Sequence, residues 1–186
     1  MHGLPVPKPN RALDGCGAAF YLVHHMKSGK GYRERERNSA LAFRRACERV
    51  GVDRVVYLGG IEPSGHVSEH LKSRLETGEI LRRGDLSTVE LRAAMIVGKG
   101  SASWQIVRDL AARLPIMLLP KWTRSQSEPV DIRDVVEALL GALEIDLDGS
   151  DWFDIPGPEA LTVEEILRRT ARLMGHEPTG FSVPFL

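Results

Sequence analysis

The chain has 186 residues, 42% of them hydrophobic and 27% charged, which suits one substantial buried core rather than a disordered tail or a membrane-embedded bundle. Lysine plus arginine equals aspartate plus glutamate at 25 each, so no global field draws the protein to nucleic acid or to an anionic membrane, and neither partner is expected. The cysteines, Cys16 and Cys47, stand far apart without C-x-x-C spacing, which argues against a disulfide scaffold or zinc site and for a reducing compartment.

Met1 to Pro9 holds three prolines and no apolar signal core, and residues 1–10 read as an irregular segment. The first strand signal is Ala18-Ala19-Phe20-Tyr21-Leu22-Val23, and the next is Val55-Val56-Tyr57-Leu58. Both are apolar without alternation, the pattern of strands buried on both faces in a parallel sheet. Between them Ala40, Phe43, Cys47 and Val50 fall at helical spacing, and Gly51 stands where a helix end favours a left-handed residue. The run Arg33-Glu34-Arg35-Glu36-Arg37 alternates in sign and reads as an exposed helix start. A second helix, residues 69–83, is expected to bury Leu71, Leu75 and Leu81, with Gly78 permitting a close backbone approach. Val89 to Val97 reads as one strand, and Ser103 to Leu114 as a helix with Val107, Leu110, Ala111 and Leu114 inward, stopped by Pro115. Ile116 to Leu119 is a short strand, far too short to span a bilayer. Asp131 can cap a helix whose apolar face is Ile132, Val135, Val136, Leu139, Leu140 and Leu143. The last helix opens on a capping box, Thr162-x-x-Glu165, with Leu161 and Ile166 as its staple and Gly175 at its end. Trp104, Trp122 and Trp152 share no spacing and read as packing residues.

Strands separated by helices imply right-handed crossovers and a parallel sheet covered on both faces, a three-layer α/β fold. Such sheets bind ligands at the carboxyl ends of their strands. The residues there are Val23-His24-His25-Met26, Gly59-Gly60-Ile61 and Arg92 to Gly98. Gly59-Gly60 either lets a ligand approach the backbone or begins a loop. His24 and His25, adjacent after a strand, point to opposite sides, so no metal site is expected. No G-x-G-x-x-G or G-x-x-G-x-x-G turn, the usual cradle for pyrophosphate, occurs in the sequence.

Three segments in succession, Tyr21-Leu22-Val23-His24-His25-Met26, Arg54 to Gly60 and Leu91 to Gly98, are joined by two later landmarks, Pro129 to Val135 and Phe153 to Thr162. Together they resemble the atypical branch of the short-chain dehydrogenase/reductase superfamily, the NmrA-like or sugar-nucleotide-epimerase-like NAD(P)-binding proteins. The resemblance covers residues 11–175. It implies a Rossmann-like fold, here N-terminally truncated, with residues 11–186 forming a single partial NAD(P)-binding domain. The cofactor implied is NAD(P), bound weakly or not at all without the glycine-rich turn. A version with the missing strands and that turn restored would bind at least about a hundred-fold more tightly.

Catalytic members of the superfamily use a Ser or Thr after the fifth strand and then Tyr-x-x-x-Lys on the following helix. Here Gly59-Gly60 stands in the region of the Ser or Thr, while His70 matches the tyrosine and Arg74 the lysine. The resemblance therefore assigns His70 and Arg74 as catalytic candidates, with a solvated helix face as the alternative. It assigns Val23, His24, His25, Gly59, Gly60, Arg74, Ala93, Ala94 and Ile96 to the cofactor, and Trp122 and Arg124 to a small carbonyl or sugar-like substrate. The implied function is an NAD(P)H-dependent oxidoreductase or epimerase-like protein. A non-catalytic dinucleotide-sensing module, or a fragment without independent activity, is the alternative. The protein is expected in the cytoplasm, and the edge left beside Ala18 to Val23 is expected to promote self-association.

Overall fold

In a computed structural model, described over residues 12–23, 31–62, 67–113, 116–119, 121–175 and 179–182, strands and helices alternate along the chain. In chain order they are β1 (Ala18–Tyr21), α1 (Tyr32–Val50), β2 (Arg54–Gly60), α2 (Glu69–Arg82), β3 (Ser87–Ala93), β4 (Ile96–Val97) and α3 (Ala102–Arg113). There follow β5 (Ile116–Leu119), β6 (Gln126–Ser127), β7 (Val130–Asp131), α4 (Ile132–Gly141), β8 (Asp151–Ile155), β9 (Leu161–Thr162), α5 (Val163–Leu173) and β10 (Thr179–Ser182). The chain divides into two compact units, Met1–Arg92 with Glu137–Asp154, and Ala93–Val136 with Ile155–Leu186.

The first unit is built on a parallel sheet in the order β1-β2-β3-β8, the three-layer α/β class that the sequence implies. Each crossover helix is sized by its own end signals. Gly51 closes α1 in the left-handed region, at φ 74°, and donates its N–H to the Cys47 carbonyl. The chain then turns directly into β2, whose first residues donate from Asp53 and Arg54 to the Gly17 carbonyl at 2.8 and 3.2 Å. That pair sets the register Ala18↔Arg54 to Tyr21↔Tyr57. Arg54 also reaches the turn that follows α4, donating to the carbonyls of Leu143 at 3.1 Å and Ile145 at 2.6 Å. Between sheet and helices lies a core of Ala19, Tyr21, Ala40, Cys47, Val55, Tyr57 and Leu81, with the Tyr21 ring 4.9 Å from Phe43 and 5.9 Å from Tyr57.

Helix α2 packs differently from the expected leucine face. Leu71 and Leu75 are half-buried, and the buried face is Ser73, Thr77, Gly78, Ile80 and Leu81. The reason is Gly78. A Cβ there would collide with the Glu90 carboxylate, so the helix lies on a charged group rather than on an apolar one.

The single strand expected over Val89 to Val97 is two. β3 ends at Ala93, and after Ala94 and Met95 the chain pairs Ile96 with Val130 in a separate parallel pair, β4 with β7. The Val130 N–H on the Met95 carbonyl at 3.0 Å holds that break. β5 pairs in parallel with β10, and β6 antiparallel with β9. Helices α3 and α5 meet through Val107, Ala111, Ile166, Leu167 and Ala171, with Trp104 packed against them. Leu114 lies outside the described residues.

The capping box on α5 forms as expected. Thr162 Oγ1 accepts from the Glu165 N–H at 3.2 Å, and the Glu165 carboxylate accepts from the Thr162 N–H at 2.7 Å. At α4, the Asp131 carboxylate accepts from the Arg133 N–H at 2.8 Å. Only part of the face expected there is inward. Val135 and Leu139 are buried, whereas Ile132, Val136 and Leu140 stand 37%, 47% and 56% exposed.

Candidate functional site

The run Arg54 to Gly60 carries a buried strand to a carboxyl end made of two glycines, both buried. Helix α2 returns beside it, started by Ser68, whose hydroxyl accepts from the Leu71 N–H at 3.3 Å. Three bonds then lock helix to strand. The Tyr57 hydroxyl donates to the Arg74 carbonyl at 3.0 Å, and the Arg74 guanidinium donates to the Gly59 carbonyl at 3.0 Å and the Leu58 carbonyl at 3.4 Å. Arg74 is half-buried, so it is no solvated helix residue. Burial raises the Tyr57 pKa well above the ordinary phenol value, against the lowering effect of Arg74.

The space beside the two glycines is already used by the protein. A Cβ on Gly59 would stand 2.9 Å from a Glu90 oxygen and 3.2 Å from the Tyr57 ring, and one on Gly60 would stand 2.9 Å from a Leu71 methyl. The close approach that glycine permits here is therefore made by Glu90 and Leu71.

Glu90 is a residue that sequence reasoning missed. Its side chain has no exposed surface, and it accepts from Arg82 Nε at 2.8 Å and Arg92 Nε at 2.9 Å. The Arg92 guanidinium in turn lies 4.2 Å from the centre of the Trp152 ring. Trp152 thus packs on an arginine while staying partly exposed. A carboxylate inside the apolar run Val89-Glu90-Leu91, with an arginine two residues on and so on the same strand face, was the available signal.

His70 lies one turn before Arg74 but engages a different neighbour. Its Nδ1 is 3.2 Å from the Tyr32 hydroxyl, and the two rings are 4.9 Å apart at 56°. Below Tyr32, the Glu36 carboxylate is 4% exposed and accepts a short hydrogen bond from the Ser73 hydroxyl. Burial and a hydrogen bond to Glu36 raise the Tyr32 pKa above that of an ordinary phenol. The alternating run at the start of α1 is therefore not wholly solvated: Arg33, Glu34, Arg35 and Arg37 are exposed, and Glu36 is not.

Gly59, Gly60 and Arg74 are in this way brought together, with His70 a turn away on Tyr32. Val23 lies two residues beyond β1 and is 53% exposed. His24 and His25 lie outside the described residues. Ala93, which is buried and closes β3, belongs to the second unit with Ala94 and Ile96, as do Trp122 and Arg124 in the 3-10 turn Lys121–Arg124. Among the described residues no group of three or more His, Cys, Asp or Glu side chains could hold a metal ion, and no helix is long and apolar enough to cross a membrane.

No family model matches the chain, and no curated protein matches it in sequence. Solved structures do match in shape. MoeE5, solved with UDP-glucose and NAD, superposes with a TM-score of 0.76 at 20% identity, over 95% of this chain and 68% of its own. The dTDP-glucose 4,6-dehydratase DesIV from Streptomyces venezuelae, solved with NAD bound, gives 0.76 at 17% identity, over 94% of this chain and 63% of its own. The UDP-N-acetylglucosamine 4-epimerase from Bacillus cereus gives 0.75 at 18% identity, over 94% and 68%. The chain has the Rossmann-like fold of NAD-dependent sugar-nucleotide epimerases and dehydratases. It spans about two thirds of the length of these relatives. The Rossmann-like fold expected from the resemblance to the atypical short-chain dehydrogenases/reductases is the fold observed.

Proposed function

We propose that the chain binds the nicotinamide-ribose part of NAD(P) at the carboxyl end of β2 and belongs to an oxidoreductase or epimerase-like protein acting on a small carbonyl or sugar-nucleotide-like substrate. The observation that carries this reading is Arg74. Its guanidinium donates to the carbonyls of Leu58 and Gly59 at the strand end, and its backbone carbonyl accepts from the Tyr57 hydroxyl, in a fold whose solved relatives contain NAD. A fixed cation with directed N–H groups suits a ribose hydroxyl or a phosphate, so the residues present fit the cofactor. Bound there, the dinucleotide would supply or accept a hydride.

In this proposal Arg74 orients the ribose and His70 moves a proton, since an imidazole is a competent acid and base near neutral pH. Val23, His24, His25, Gly59, Gly60, Ala93, Ala94 and Ile96 are assigned to the cofactor's border, and Trp122 and Arg124 to the substrate. The two free thiols support a reducing compartment such as the cytoplasm; burial pushes the Cys47 thiol up to about 11, which keeps it unreactive.

A second reading, dinucleotide sensing without turnover, is favoured by one observation. The residue in the lysine position is an arginine engaged with the end of β2, and it cannot titrate usefully. Oxidation of NADH and NADPH, and conversion of the sugar itself, against a panel of carbonyl compounds and UDP- or dTDP-sugars separate the two. Cofactor oxidation or sugar conversion dependent on His70 supports the enzyme; cofactor binding with neither supports the sensor; absence of binding rejects both.

A further inference from the structure

We propose that the free edge of β1 and the bare sheet face beside it form one docking surface. Its occupant is a strand–helix unit of another polypeptide, with the strand parallel to β1 and the helix laid across Phe20 and Leu22. The surface follows from the sheet alone and does not depend on the function proposed above.

Strands β1, β2 and β3 succeed one another in one direction across the sheet, and right-handed crossovers taken in one direction put their helices on one face. Helices α1 and α2 accordingly share a face, closing over Ala19, Tyr21, Val55 and Tyr57. Side chains alternate along a strand, so Phe20 and Val56 stand on the opposite face. Val89 stands there too, because its neighbour Glu90 lies against Gly78 of α2. That opposite face is unevenly covered. Val56 and Val89 have no exposed surface, whereas Phe20, in register with Val56 on the next strand, is 40% exposed and Leu22 is 48% exposed. The cover therefore stops between β2 and β1.

The width of the gap describes what fills it. Parallel strands are ordinarily buried on both faces, and β1 is apolar on both. A helix is about 10 Å across and strands lie about 4.8 Å apart, so a helix seated on Phe20 spans β1 and one strand beyond it. Among the described residues β1 is the last strand of its sheet, with that further place unfilled. A strand in that place, joined to a helix on the bare face, satisfies the edge and the face together. Its crossover runs across the sheet in the direction opposite to those of α1 and α2.

A second copy of the chain does not meet this description. Extending the sheet about a two-fold axis normal to it, a copy pairs β1 with β1 but keeps its helices on the face already covered. Two bare phenylalanines then lie side by side. Copies of the isolated chain can thus fill the edge while leaving the face open. For the dinucleotide proposed above, the glycine-rich turn that grips pyrophosphate does not occur in this sequence, and the occupant is the place for it. That consequence alone rests on the proposed function.

The probe is the part of MoeE5 outside the 68% of its chain that matches, expressed as a separate polypeptide and mixed with the full chain. Sedimentation velocity is expected to show a one-to-one complex that replaces self-associated chain and is lost in Phe20→Lys. Leu22→Lys, at an exposed residue just past the strand, should give the same loss and covers the case of a Phe20 variant that does not fold. Self-association that the probe leaves untouched assigns the edge to a second copy and overturns the proposal. A chain that stays monomeric with the probe present, or a complex that survives both substitutions, overturns it too. A complex that forms yet gives no NADH-dependent amide shifts at Gly59 and Gly60 counts against the proposed function and leaves the docking surface standing.

Discussion

Gly78 and Glu90 show how one missing side chain admits one charge to the interior. Because a Cβ at Gly78 would overlap the Glu90 carboxylate, Gly78→Ala must either move α2 outward or push Glu90 off Arg82 and Arg92. The expected loss is about 1–3 kcal/mol in denaturant unfolding, the range for overpacking a close-packed site. Glu90→Gln is expected to cost more, about 3–5 kcal/mol, because it leaves Arg92 buried with its opposing charge removed. A Gly78→Ala protein as stable as the wild type would mean that the helix does not rest on the carboxylate. Arg92 was within reach of sequence reading as a partner of Glu90, two residues on along the same strand face, but the contacts made by Gly78 and Arg82 were not. Glu90 and Arg82 are linked only through the turn that joins α2 to β3, and Glu36 is buried only because Ser73, on another helix, meets it.

Elements whose signals are local came through intact, as the capping box at Thr162 and the left-handed Gly51 illustrate. Each depends on residues within one turn. What failed depended on distant partners. The run Val89 to Val97 is continuous in character, yet it divides because Ile96 and Val97 pair with Val130 and Asp131. Likewise the apolar residues of α4 exceed the stripe that is covered, so Ile132, Val136 and Leu140 face outward. The carboxyl end of β2 was legible as a candidate site from its buried strand and glycines. That Arg74 turns back onto that strand, while His70 turns to Tyr32, was not. Spacing gives a helix face but not the partner of each side chain on it.

The start of α4 carries a pH signature. Hydrogen bonds from the Arg133 side chain and then its backbone N–H hold the Asp131 carboxyl at about 2. The unfolded chain titrates this group at about 3.9. A carboxyl depressed in the folded state adds stability above the unfolded value and loses it as pH falls through the folded one. Asp131→Asn keeps a side-chain acceptor but removes the charge. It should be less stable than the wild type near neutral pH, with the difference shrinking between about pH 4 and pH 2 in thermal unfolding. A difference that stays constant with pH would remove Asp131 from the account of acid stability.

For the whole molecule, the order β1-β2-β3-β8 leaves β1 at one end of the parallel sheet, with Phe20 40% and Leu22 48% exposed beside it. An apolar terminal strand recruits other strands. We expect the chain to self-associate there, and Phe20→Lys to shift it toward monomer in light scattering. Phe20 is the position to charge, because Tyr21 on the other face is buried against Phe43 and Tyr57. A wild-type chain that stays monomeric at high concentration would show that this edge recruits nothing.

The central claim is that the end of β2 is a dinucleotide site. Its most direct test is an amide 15N–1H titration of the chain with NADH, which detects binding even at a Kd of about 1 mM. The account predicts progressive shifts at Gly59, Gly60 and their neighbours on α2, lost in Arg74→Ala and kept in His70→Ala. Shifts confined to other parts of the chain, or none at all at saturating NADH, would contradict it.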